Sequence, residues 1–143
     1  PAVGGIVHTH STYATAWAQA GKDIPPLGTT HADHFYGAVP CTRKLSAEEI
    51  NEKYESNTGK VIVERVGLSD PLAVPAVLVN CHGPFCWGLG PEDAVSNAIA
   101  LEEIARIAFY TVLLEKRDAI DKVLLDKHFG RKHGKGKYYG QTS

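Results

Sequence analysis

Methionine is absent from all 143 residues, position 1 included. A chain without an initiator is expected to be processed, cut or engineered, with part of the working protein outside it. Cysteine is scarce: Cys41, Cys81 and Cys86 are an odd number and too few for a disulfide scaffold. No apolar run approaches the ~18 residues of a membrane-spanning helix, so no membrane span is expected. The opening Pro1-Ala2-Val3-Gly4-Gly5 lacks the charged and long apolar regions of a secretory signal. With no export signal, the reducing cytoplasm is the expected compartment. An excess of either charge is lacking too: the net charge is −1. That argues against a strongly basic nucleic-acid binder and against an acidic disordered tail.

What is present suits one folded unit. At 43% hydrophobic, the chain can bury a core within a single domain covering 1–143. There is no internal repeat. Gly5-Ile6-Val7-His8-Thr9-His10 reads as a short strand, and Ser11 is placed to cap a helix over Thr12–Ala20 that Gly21 ends. Thr30–Phe35 fits a short helix. Ser46-Ala47-Glu48-Glu49 is a capping-box pattern opening a helix that ends near Ser56, before an Asn57-Thr58-Gly59 turn. Lys60–Val66 and Val74–Asn80 are β-branched runs and read as strands, with Phe85–Trp87 one more. Pro91-Glu92-Asp93 starts the longest helix, about 91–114, with apolar residues at helical spacing. A further helix is expected from Asp118 to about His128, before a basic tail, 131–143. Strands followed by helices give an α/β layer architecture, with few strands and exposed sheet edges.

Seven histidines are the oddity of the composition. In His8-Thr9-His10, residues i and i+2 of a strand project from one face, so both imidazoles can reach one cation. Two solvent-facing polar residues at a strand end would look the same. His82 follows the Val74–Asn80 run; it is either a turn histidine or, if the two strands are neighbours, a third ligand. Cys81, His82 and Cys86 form a rival metal set, but their spacing lacks a paired second half, and all three cysteines are read as buried small hydrophobes. Asp33, within the polar stretch Thr29-Thr30-His31-Ala32-Asp33-His34, is a cap or an acid/base group. The tail carries Tyr138 and Tyr139, which a solvated tail does not need and which docking on another subunit would explain.

These motifs resemble, in one order and over nearly the whole chain, those of the L-ribulose-5-phosphate 4-epimerases, a branch of the class II (metal-dependent) aldolase superfamily. The stretch from Gly4 to Ser11 is shared across the superfamily. The epimerase branch is marked by Gly28 to Asp33 with Phe35-Tyr36-Gly37, by Tyr54-Glu55 with Thr58-Gly59, and by His82-Gly83-Pro84-Phe85 with Trp87-Gly88. Leu124 to His128, Arg131 to Gly134 and Tyr138 to Gln141 complete the pattern. The resemblance implies a layered α/β/α fold with a mainly antiparallel central sheet. It implies a Zn2+ ion on His8, His10 and His82, Asp33 and Tyr139 as an acid/base pair, and His128 as a supporting residue. It further implies a sugar-phosphate substrate and a homotetramer in which Asp33 and Tyr139 act across a subunit boundary. The family's N-terminal portion, with its phosphate-binding segments and a fourth metal ligand, has no counterpart in these residues. A metal-dependent sugar-phosphate aldolase, and an inactive fragment or scaffold, are the alternatives.

Overall fold

The computed structural model describes residues 3–67, 69–115 and 118–134. Strand β1 (Gly5–His8) leads into helix α1 (Thr12–Ala20), then α2 (Thr29–Ala32), α3 (Ala47–Asn51) and α4 (Tyr54–Val66). Strands β2 (Ala76–Val79) and β3 (Gly83–Gly88) follow, then α5 (Pro91–Leu114) and α6 (Lys122–His133). The three strands form one antiparallel sheet in the order β1-β3-β2.

Pairing register sorts the side chains onto two faces. Val7 lies opposite Cys86, and Cys86 opposite Ala76. This row joins Ala14 and Ala18 of α1 and Leu101, Ile104, Ala105 and Ala108 of α5 in the hydrophobic core. Neighbouring strand positions alternate faces, so the row of His8, Phe85 and Val77 looks the other way. On that side α4 covers β2, while β1 stays open: Ile6 is 69% exposed. The result is the expected layered α/β/α arrangement, with α1 and α5 below the sheet and α4 above it.

Helix α5 matches its sequence signals at both ends, with proline in its first turn and Glu92 and Asp93 at its positive end. Gly21 ends α1 at φ 64°, in the left-handed region, and its N–H closes back on Ala18. Ser46 and Glu49 form both bonds of the capping box. The helix so opened is short, however: Lys53, at φ 50°, interrupts it before α4 begins.

Lys60–Val66 is helix, not strand, and the expected turn at Asn57-Thr58-Gly59 lies inside the same helix. Tertiary bonds absorb the turn-forming side chains. Asn57 donates to the carbonyls of Glu49 and Glu52, and Thr58 donates to Tyr54 O. Burial follows the helical period, with Val61 at 1% exposure and Val63 at 71%. Helix α6 begins later and runs on to His133, so Arg131, Lys132 and His133 are helical rather than tail. Tyr138, Tyr139 and the rest of the expected docking tail lie outside the described residues. Among the described residues no helix is long and apolar enough to cross a membrane.

Candidate metal centre

His8, His10 and His82 come together, their ligand atoms all within 4.8 Å of one another. They are the group of this kind found among the described residues. The i, i+2 rule puts His8 and His10 on the exposed face of β1 and its continuation, beside Ile6. His82 arrives by a route that differs from the expected one. β2 is not the neighbour of β1; β3 lies between them, and His82 stands on the turn that opens β3. Gly83 permits this close approach, since a Cβ there would sit 2.9 Å from Thr9 O and 3.5 Å from the rings of His8 and His10.

The hydrogen bonds of the triad fix its chemistry. His8 Nδ1–H donates to the carbonyl of Pro84 at 2.9 Å, which makes Nε2 the nitrogen that carries the ligating lone pair. His10 Nε2 lies 3.0 Å from that atom. Two nitrogens bound to one tetrahedral Zn2+ at about 2.0–2.1 Å would stand about 3.3 Å apart, so small ring movements suffice. His8 also stacks on Phe85, with ring centroids 4.1 Å apart at 18°. Tyr54 Oη lies 3.3 Å from His82 Nδ1. Burial lowers the pKa of His82, and the charges His8 and His10 can carry lower it further, which favours the neutral imidazole that a metal requires. Three imidazoles, one with its tautomer set by a backbone carbonyl, are a donor set that fits Zn2+.

The cysteines do not compete for this role. Cys86 sits on the core side of the sheet with its pKa pushed up to about 12 by burial. Cys41 is also buried, and burial together with Asp23 raises it to about 11. Cys81 is exposed, contrary to the expected burial: its backbone takes φ 61°, and its thiol bonds Asn80 Oδ1. A cavity of about 520 Å³ adjoins His8 and His82 between the sheet and α4, with Ile6, Ile62, Phe85 and Trp87 among its walls.

Asp33 and His128 meet at the contact between α2 and α6, and neither shares a hydrogen bond with the triad. Asp33 Oδ1 is 3.0 Å from His128 Nδ1; Arg131 reaches both carboxylate oxygens at 3.1 Å, and Lys132 stands 3.5 Å away. Burial pushes the Asp33 pKa up, but the bonds from Arg131 and His128 and the charges of Lys132 and Arg131 outweigh it, so the carboxyl stays below its usual range. Asp33 is therefore an ionised acceptor near neutral pH, more deeply engaged than a surface cap. His133 adds a bond to the Asp33 carbonyl at 2.9 Å. Tyr139 lies outside the described residues.

Sequence reading missed Glu102. Ser11, the expected cap of α1, makes no side-chain cap bond. Instead Glu102 on α5 accepts from Tyr13 N at 2.8 Å and from Ala14 N at 2.9 Å. No local pattern signals a cap supplied from 88 residues away.

A family model described as the class II aldolase and adducin N-terminal domain matches residues 1–109. Three solved structures share the fold. An L-fuculose 1-phosphate aldolase superposes with TM-score 0.66 at 18% identity, covering 88% of this chain and 54% of its own. The L-fuculose 1-phosphate aldolase from Glaciozyma antarctica PI12 gives TM-score 0.66 at 22% identity, covering 90% and 44%. YgbL from Escherichia coli gives 0.58 at 22% identity, covering 87% and 56%. The chain thus spans about half the length of the structures it matches.

Proposed function

Because the chain belongs to the class II aldolase and adducin N-terminal domain family, we propose that it forms the metal-binding part of an enzyme converting L-ribulose 5-phosphate to D-xylulose 5-phosphate. The observation that carries this reading is the triad of His8, His10 and His82, with the His8 tautomer set by Pro84. The epimerase-branch motifs around Asp33, Tyr54 and His128 select the substrate class.

Carbon 4 of the substrate bears no acidic proton, so direct deprotonation cannot invert it. Breaking the C3–C4 bond can. The bonding pair stays with C3, giving an enediolate, while C4 becomes the aldehyde of glycolaldehyde phosphate and its hydroxyl gives up a proton. The aldehyde turns its other face, the bond re-forms, and the new C4 alkoxide takes a proton back. A divalent cation held by the three histidines supplies Lewis acidity toward the oxygens of the ketose.

The protein must supply two proton-transfer groups on opposite sides of the aldehyde. Asp33 and Tyr139 are assigned this pair, reaching the triad of a neighbouring subunit in a homotetramer. Asp33 is ionised and can accept; His128 and Arg131 hold its carboxylate in one orientation. Tyr139 donates on the other side.

The test incubates the purified, Zn2+-loaded protein with L-ribulose 5-phosphate and analyses the products. D-xylulose 5-phosphate is expected, and Tyr139→Phe should remove most turnover while Zn2+ binding survives. Unchanged turnover in that variant refutes the pair. Released fragments without re-addition assign an aldolase instead, and metal binding without conversion or cleavage assigns a non-catalytic role.

A further inference from the structure

We propose that Glu102 is a positioning residue for the metal centre, seating the first turn of α1 and thereby holding the His8-Thr9-His10 segment in ligating geometry. The inference rests on the metal-binding reading of the triad.

A helix leaves its first N–H groups without internal acceptors, and a residue beside it normally provides one. Ser11 stands in the cap position with extended backbone, φ −62° and ψ 144°, yet its side chain caps nothing. Glu102 uses one carboxylate oxygen for Tyr13 N and the other for Ala14 N. Its negative charge also meets the positive end of the helix dipole. Only Ser11 and Thr12 separate these anchored amides from His10.

The same helix, α5, holds the other end of the segment. A Cβ on Gly5 would fall 2.6 Å from Gly90 C and Pro91 N, and Gly4 N bonds Gly88 O at the end of the neighbouring β3. β1 therefore lies directly on the start of α5, while Glu102, about three turns further along, grips the start of α1. The two histidines sit on a segment held at one end by β3 and the start of α5 and at the other by Glu102. Metal sites tolerate ligand distances only within about 0.2 Å, so loosening one end should be felt at the ion.

The test uses Co2+ on the full chain, followed by its visible absorption bands. Glu102→Gln keeps the size but places an amide NH2 against a backbone N–H. The Co2+ Kd should rise by about tenfold to a hundredfold, the usual effect of losing an outer support of a metal site. Adding Ser11→Asp gives α1 a local cap and should restore the melting temperature without restoring the affinity; this double variant also carries the comparison if Glu102→Gln alone does not fold. A Kd equal to wild type in Glu102→Gln, or affinity recovered together with stability in the double variant, overturns the inference while the metal reading stands. A wild-type chain that gives no Co2+ bands overturns both.

Discussion

Acidification should destabilise this fold through one buried ring. His31 is 4% exposed, and its Nε2–H donates to Gly37 O at 2.6 Å. Its Nδ1 is buried without a hydrogen-bond partner among the described residues, so a second proton there would be an unsolvated charge. Desolvation accordingly pulls its pKa from 6.5 down to about 4, against the opposing hydrogen bond to Gly37 and with a smaller contribution from His34. The folded pKa is below the unfolded one, so between pH 6.5 and about 4 the unfolded chain binds the extra proton. Stability should therefore fall as the pH drops through that window and level off, for this group, below it. At about 1.4 kcal/mol per unit, the total is about 3 kcal/mol. Urea unfolding followed by circular dichroism at half-unit pH steps measures it, with His31→Phe as the reference. At pH 7 the variant should be weaker by about 1–3 kcal/mol, because Gly37 O loses its donor. Near pH 4 the gap should close or reverse, since the variant lacks the titrating group while other titrations largely cancel in the difference. A gap that stays constant from pH 7 to 4 would refute the argument.

Three further perturbations test the frame. Leu101→Ala, at a fully buried core position beneath the sheet, should cost about 2–5 kcal/mol by urea denaturation. Ser46→Ala removes the acceptor for Glu49 N and should cost about 1 kcal/mol while leaving Co2+ affinity unchanged. Gly5→Ala drives a Cβ into the backbone of Gly90 and Pro91; thermal unfolding should show a loss of about 1–3 kcal/mol, and Co2+ titration a weaker site.

Features specified by neighbouring residues were legible in the sequence. Pro91 with Glu92 and Asp93, the Ser46–Glu49 box and Gly21 all do locally what their residue types suggest. The pairing of His8 with His10 needed only the period of a strand, and their meeting with His82 required topology. Features specified across the fold were hidden. Val61, Ile62 and Val63 favour strand by their branching, yet α4 buries Val61 and leaves Val63 in water, a pattern set by the sheet beneath it. Glu102 capping α1 and the ring of basic groups around Asp33 both join residues about ninety positions apart. No period or spacing records such a contact.

The central position of β3 has a kinetic consequence. His8 is tied to Pro84 across 76 residues, so this contact cannot form until β3 docks against β1. Closing so long a loop is slow compared with forming a helix. An unfolded chain offers a cation only loose local sets such as His8 and His10, or Cys81 and His82; the folded chain brings three imidazoles to one place. A metal ion that prefers the three-nitrogen site acts after this closure and draws the equilibrium toward it by mass action. An ion bound there would be a latch on the longest-range pairing in the sheet, and refolding traces should show it slowing the release of β1 more than it speeds its docking.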